Sequence, residues 1–261
     1  MPGIFCMDIK KLLLRENGRK SFFCSDGILD FIDRQERDET AELTPETVGY
    51  QEKYQSSDTA RAYNVRYQQK RIHTTRRESA ILRKLLARYD SSEAVLDLPC
   101  GGGRLSSVIG EFAHTVVEMD LAPGQLSYGL KNCKTNATQI WIRASAFDIP
   151  LKDNSMDGVV CIRLSHHLYS LDEKEKLLSE LLRVAKRFVI FYFVDSNAPK
   201  YTSRLWRARR TGSLRKINSM TVRELASMAE KLGGKITACP AAGFLQPHRY
   251  ALIEKRPAEH N

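Results

Sequence analysis

Asp97, Gly101, Gly103 and Asp120 are the residues of this 261-residue chain whose types and spacing could act together on a ligand. Val95 to Ser106 reads VLDLPCGGGRLS, an apolar run ending near an acid and followed by three glycines. Glycines directly after a strand permit positive φ and let the backbone approach a ligand with no Cβ in the way. Three chemistries compete for such a loop. A dinucleotide site needs GxGxxG, and Ser106 stands where the third glycine or alanine belongs. A phosphate loop needs Gly-Lys-Ser/Thr, which does not follow here. The pattern present is an acid, three residues, Gly, x, Gly, and a carboxylate at a strand end favours a ligand bearing an ammonium. Thr115–Met119 is a second apolar run that ends at Asp120, where a carboxylate can accept both hydroxyls of a ribose. The alternative for Asp120 is a helix N-cap ahead of Pro123.

The elements that must position these residues follow from periodicity. Short apolar runs predict seven strands, near Ala94–Leu98, Thr115–Met119, Gln139–Arg143, Gly158–Ile162, Phe188–Val194, Lys235–Cys239 and Tyr250–Glu254. Helices are expected between them, roughly over Arg104–Phe112, Pro123–Asn132, Asp172–Ala185 and Thr221–Leu232. Alternation of this kind builds an α/β fold with a mostly parallel sheet and helices on both faces. Only a Gly-Phe-Leu-Gln-Pro turn joins the last two strands, so they form an antiparallel terminal hairpin. Ahead of the sheet, Thr59 to Tyr89 is helical in pattern with no Gly or Pro, and Ile81, Leu85 and Tyr89 mark a core-facing stripe. Residues 1–50 read as a peripheral N-terminal segment, partly disordered, with an acidic stretch from Asp30 to Glu46. Residues 51–90 form a helical cap, and 91–257 the main domain with a basic insert near 198–219.

The segments VLDLPCGGGRLS, VVEMDLAPGQL, ASAFDIPLKDNSMDGVV and LSHHL, in that order and spacing, resemble class I S-adenosylmethionine-dependent methyltransferases. The likeness is to the type 11 group that includes ubiquinone- and menaquinone-type enzymes, and it spans roughly Ala94 to Ala185. It implies a Rossmann-like seven-stranded sheet, S-adenosyl-L-methionine as cofactor, and methyl transfer as the activity. It sets Asp97, Gly101 and Gly103 along the methionine and ribose, Asp120 on the ribose, and Leu121 against the adenine. Ser145, Ala146 and Phe147 flank that ring. Ser145 departs from the pattern, which usually has an aspartate there; a serine makes a shorter, uncharged contact, so weaker binding or a bridging water is expected. Asp148-Ile149-Pro150 also resembles the family, and equally reads as a capped turn.

Methyl transfer is an in-line displacement that needs alignment and, for some acceptors, proton removal. The fourth strand delivers Arg163 to His167 to the site mouth. His166 and His167 are the candidate bases, against a packing role, and Arg163 is counted with the cofactor-binding residues. Arg163 could instead bind an anionic acceptor or pair with an acid. Two basic runs without acids flank the core, from Arg61 to Arg77 and from Lys200 to Lys216, with Tyr201 and Trp206 interleaved in the second. Arg71, Arg207 and Arg210 are the candidate substrate contacts, and Tyr63, Tyr67 and Arg71 the candidates to close over the cofactor carboxylate.

The formal charge of +10 favours anionic partners and says nothing of fold. A small anionic or lipid-like acceptor is the first reading. RNA or protein methylation through the basic flanks is the second, and a non-catalytic S-adenosylmethionine-binding protein the third. No CxxC pair or metal-ligand spacing occurs among the six cysteines, so free thiols and no metal are expected. No apolar run approaches a membrane span and the N-terminus lacks a signal-peptide pattern, which points to a cytoplasmic protein without stable membrane insertion. Oligomeric state is not legible.

Overall fold

Runs rich in Val, Ile and Phe build the centre of the molecule. In the computed structural model, which describes residues 23–32, 57–210 and 218–256, they form one nine-stranded sheet. The strands are β1 (Phe23–Ser25), β2 (Ile28–Asp30), β3 (Ser92–Asp97), β4 (Ala113–Asp120), β5 (Thr138–Arg143), β6 (Met156–Cys161), β7 (Ala185–Val194), β8 (Gly234–Ala238) and β9 (His248–Lys255). Their order is β1-β2-β5-β4-β3-β6-β7-β9-β8. β3 to β7 are parallel, while β9 runs antiparallel between β7 and β8. All seven expected strands are present, closed by the expected antiparallel pair.

Two strands were not expected. Phe23 to Asp30, within the stretch read as peripheral, folds as a hairpin whose second strand pairs in parallel with β5. Its turn is Asp26-Gly27, at φ 50° and 86°. Asp-Gly tolerates the left-handed values that a tight hairpin turn demands. Asp30 then pairs with Arg143 at 2.9 Å. The other acids of the Asp30–Glu46 stretch lie outside the described residues.

The helices are α1 (Ser57–Gln69), α2 (Ile72–Leu86), α3 (Ser106–Ile109), α4 (Pro123–Asn132), α5 (Leu171–Val184), α6 (Pro199–Arg210) and α7 (Val222–Lys231). The single helix expected over Thr59 to Tyr89 is broken at Lys70-Arg71, whose N–H groups both return to the Arg66 carbonyl. The break lets α1 lie against α4 while Leu82, Leu85 and Leu86 of α2 enter the core. The helix expected over Arg104–Phe112 shortens to one turn. The basic insert, to which no element was assigned, forms α6 up to Arg210. Residues 211–217, with Arg215, lie outside the described residues. Capping boxes at Ser170/Glu173 and Thr221/Glu224 start α5 and α7.

Adjacent strand residues point to opposite faces, and both faces are covered. Leu96, Val117 and Phe191 pack under α5 and α7, while Val95, Val116 and Ile190 pack under α2 and α3. The chain runs outward from β3 through β4 to β5, then crosses back to place β6 on the other side of β3. The crevice at the carboxyl ends of β3, β4 and β6 is therefore the topological switch point where ligands bind in open α/β sheets.

Packing at the sheet centre leaves no slack. A Cβ added at Gly158 would lie 2.1 Å from the Phe188 ring on the neighbouring strand. Gly158→Ala is expected to destabilise the fold by about 2 kcal/mol through overpacking. Chemical denaturation checks this, and an unchanged midpoint would show that the strands can part to admit a methyl group.

Candidate functional site

β3 ends at Asp97, and the loop after it turns on Gly101 and Gly103, at φ 55° and 73°. A Cβ on Gly102 would strike the Asn64 side chain at 2.5 Å. Asn64, from α1, is held by its own amide, which donates to Ala60 O at 2.9 Å and to Gln125 Oε1 at 2.8 Å. The contact between loop and α1 thus depends on a bare backbone at Gly102.

Asp120 sits at the end of β4. Its Oδ2 accepts from the Gly101 N–H at 2.9 Å and its Oδ1 from the Ala122 N–H at 2.9 Å. Burial pushes its carboxyl above the usual range, opposed by these N–H donors. It is not the cap of α4; that position belongs to Ala122, and no side chain caps the helix.

Between these elements lies a cleft of about 1080 Å³, its open mouth included. Asp120, Gln125 and Asn64 form one polar wall. Leu98, Leu121, Ala146, Phe147 and Ile162 form an apolar one, and Arg104, Arg163 and His167 stand at the far side. Flat apolar walls with a few convergent polar groups are typical of cofactor sites.

The far side is organised by Glu78 of α2, 1% exposed. Its Oε2 accepts from Arg104 Nη1 at 2.5 Å, and its Oε1 from Arg163 Nη2 at 2.6 Å and Nε at 2.9 Å. The Tyr250 hydroxyl donates to the same Oε1 at 3.0 Å. Burial alone would raise the Glu78 carboxyl, but the Arg104 and Arg163 charges outweigh it and hold the group below the usual range. Arg163 itself adopts φ 68° and lies 5.6 Å from the Tyr192 ring centroid. Of the two roles weighed for it beyond cofactor contact, pairing with an acid is the one observed.

The histidines differ. His167 lines the cleft. His166 points away; its Nδ1 is buried with no hydrogen-bond partner among the described residues, and its ring packs 3.9 Å from that of His167 and 5.5 Å from Tyr192. Burial drives His166 well below the usual histidine range, and burial with the Arg163 charge lowers His167 to about 4. Both imidazoles are neutral at pH 7. Tyr192 Oη and His248 Nδ1 share a 2.5 Å hydrogen bond beside them.

Gly101, Asp120, Leu121, Ala146, Phe147 and Arg163 therefore meet at one cleft, as does Tyr63. Asp97 lies just beneath the wall, 2% exposed, its carboxyl pushed well up by burial and by the Glu118 charge. Gly103 faces a neighbouring polar hollow, and Ser145 Oγ accepts from the Phe147 N–H at 3.2 Å rather than facing the cleft. The structure does not bring Arg71, Arg207 or Arg210 to the wall. Arg71 is exposed at the start of α2, and Arg207 and Arg210 are exposed on α6, which turns Tyr201, Leu205 and Ala208 toward the domain instead. The side chain of Tyr67 lies outside the described residues. Reasoning from motifs missed Glu78, Arg104, Asn64 and Gln125. Of these only Arg104 sits in the loop, and the others have no local signal. Cys100, Cys133, Cys161 and Cys239 are free thiols, as expected.

A Rossmann-like sheet with an antiparallel end, a glycine loop after β3 and an acid closing β4 define an S-adenosylmethionine-type site. Comparison agrees. Residues 96–193 match the methyltransferase domain family. The chain is 33% identical over 112 residues to a demethylmenaquinone methyltransferase of Clavibacter sepedonicus, covering 42% of this chain and 44% of that protein. It is 33% identical over 101 residues to a ubiquinone/menaquinone biosynthesis C-methyltransferase of Citrobacter koseri, covering 36% and 39%. It is also similar in fold to magnesium protoporphyrin IX methyltransferase of Synechocystis, solved with bound SAH, at 15% identity and TM-score 0.65, covering 80% and 99%. Over residues 96–193 the chain is thus similar to S-adenosylmethionine-dependent methyltransferases, with that likeness confined to the central part of the chain. It spans under half the length of these two curated relatives.

Glu78→Ala leaves two guanidiniums beside the cleft without their counter-charge and is expected to cost about 3 kcal/mol of folding stability. Urea unfolding measures it, and a loss within experimental error would mean that the cluster is solvated. His167 gives a pH signature. Its folded value of about 4 lies below the ordinary 6.5, so between these values the unfolded chain binds a proton that the folded chain does not. Its contribution is present above 6.5 and is lost as pH falls toward 4. His167→Gln is expected to reduce the slope of stability against pH in that window by up to one proton, about 1.4 kcal/mol per pH unit. An identical slope in both proteins would place His167 in water.

Proposed function

We propose that this chain transfers a methyl group from S-adenosylmethionine to a small, anionic or lipid-like acceptor. The observation that carries the reading is Asp120. Its two oxygens are fixed by the Gly101 and Ala122 N–H groups, at the wall of a cleft that also offers an apolar wall. The residues fit the cofactor. Each Asp120 oxygen retains acceptor capacity for a ribose hydroxyl, Leu121, Ala146 and Phe147 offer a surface for a flat ring, and the glycine loop offers bare backbone. Bound there, S-adenosylmethionine supplies an electrophilic methyl on a sulfonium.

The chain's own residues then align and select. Arg104 and Arg163 bring two positive charges to the far side against the one carboxylate of Glu78, so that wall favours an acceptor bearing negative charge. His167, neutral at pH 7, can accept a hydrogen bond or a proton from the acceptor. Its depressed value makes it a weak base, which suits an acceptor that is already acidic or already ionised. His166, turned into the protein, supports the His167 ring by packing. The size and apolar lining of the cleft favour an acceptor that is a small molecule rather than a polymer.

Asp120→Ala is expected to weaken S-adenosylmethionine and S-adenosylhomocysteine binding by about fifty-fold or more, from the loss of charged hydrogen bonds. Calorimetry measures it. No heat from the unaltered chain at millimolar ligand defeats the reading, and unchanged affinity in the variant assigns the ribose elsewhere.

A further inference from the structure

The large apolar side chains that remain exposed among the described residues are Tyr169, Leu171, Trp206, Phe244 and Leu245. They are not scattered. Tyr169 and Leu171 follow β6, Trp206 follows β7, and Phe244 and Leu245 precede the antiparallel β9. All therefore lie at the carboxyl end of the parallel strands, the end on which the cleft opens. Phe244 is 87% and Trp206 60% exposed.

These side chains are held out by structure. The 243–247 loop is tied down by the Asp195 N–H donating to Pro247 O at 2.7 Å and the Gln246 N–H to Gly243 O at 3.1 Å. Leu245 is kept at φ 59°, a conformation leucine disfavours unless its surroundings impose it. Its carbonyl accepts from the Lys200 N–H at 3.3 Å, which joins the loop to the first turn of α6. α6 reads PKYTSRLWRARR, with five cations, no acid and no buried residue. Arg210 lies over the Trp206 ring at 4.6 Å.

From this we infer that α6 and the Phe244-Leu245 loop form a surface that docks on an anionic lipid membrane, with the cleft mouth facing it. A cationic helix carrying an outward tryptophan, beside a rigid loop tipped by Phe and Leu, combines the two signals that interfacial binding requires: charge attraction to headgroups and apolar insertion. The aliphatic Leu245 and Leu171 favour lipid over nucleic acid, whose bases reward flat rings and cations. Among the described residues no helix is long and apolar enough to cross a membrane, so contact is with the surface.

The test is sedimentation of the full chain with phosphatidylcholine vesicles, with and without about one-third phosphatidylglycerol. Binding to the anionic vesicles alone is expected, weakening as salt rises. Arg209→Glu with Arg210→Glu is expected to lower the partition coefficient by at least about ten-fold, and Trp206→Ala with Phe244→Ala by about ten-fold. Circular dichroism checks that each variant folds. Phe244→Ala alone, at an exposed tip, replaces the double variant should that misfold. No vesicle binding overturns the inference. So does binding indifferent to Phe244 and Trp206, which would be adsorption by charge alone. So does single-stranded RNA that displaces the chain from vesicles and loses affinity through the same substitutions, which would assign the surface to nucleic acid.

Discussion

The carboxylate of Glu78 is the point on which the site's geometry depends. It joins α2 to the glycine loop through Arg104, to the end of β6 through Arg163, and to β9 through Tyr250. A buried acid survives only where cations and donors replace the water it has lost, and here all three partners supply that. In return it fixes two long, otherwise mobile guanidiniums against one wall of the cleft. Arg163 sits in the left-handed region at the mouth, where a non-glycine backbone carries strain. Its bonds to Glu78 and its place over Tyr192 hold it there. The helical cap and the sheet are thus one electrostatic unit.

The cleft that results is polarised. On the side of β3 and β4, burial pushes up the carboxyls of Asp97 and Asp120 and raises Glu118 to about 7. Toward β6 stand Arg163, joined to Arg104 through Glu78, and histidines kept neutral by burial and by the Arg163 charge. A cationic ligand at the acidic wall favours the ionised carboxylates, so its binding and their proton release are linked. A negatively charged group at the opposite wall gains from the arginines. On the proposed reading, a donor that carries positive charge and an acceptor that carries negative charge would be drawn to different walls of one cavity, which orients the two toward each other.

How much of this the sequence showed depends on how local each feature is. The seven central strands, the glycine loop and Asp120 were legible because period, turn chemistry and spacing are all short-range. Gly102 illustrates the limit: its bareness was legible, but its reason is Asn64, on a helix far upstream. Glu78 meets its partners 26, 85 and 172 positions away, and nothing in its own neighbourhood marks it as other than one more helical acid. The break at Lys70-Arg71 was invisible for a similar reason, since good helix formers were overruled by the need of α1 and α2 to pack on different surfaces. The Asp26-Gly27 hairpin is a different case. Its signal is local, an Asp-Gly pair close to apolar residues on both sides, but the segment was expected only as peripheral. His166 and His167 are neighbours of one type, and only the three-dimensional turn separates the one that faces the cleft from the one that packs.

The boundary of the family match falls on this same division. Residues 96–193 include the glycine loop, Asp120, Leu121, Ala146, Phe147 and His167. Glu78 and Asn64 lie before that segment, and α6, the Phe244 loop, His248 and Tyr250 lie after it. The matched segment therefore carries most of the wall suited to the cofactor together with Arg104, Arg163 and His167 themselves. What organises the opposite wall and its surroundings comes from flanking sequence on both sides. β9 brings much of it, since alternate residues His248 and Tyr250 reach Tyr192 and Glu78 while Arg249 between them pairs with Asp195 at 2.6 Å. A strand added antiparallel at the end of a parallel sheet reverses the chain at the carboxyl end of β7, and that reversal is the 243–247 loop with its exposed Phe244 and Leu245. The same topological step that brings Tyr250 to Glu78 thus also presents Phe244 and Leu245 at the carboxyl end of the sheet, so one piece of chain contributes both to the cluster around Glu78 and to the exposed apolar surface.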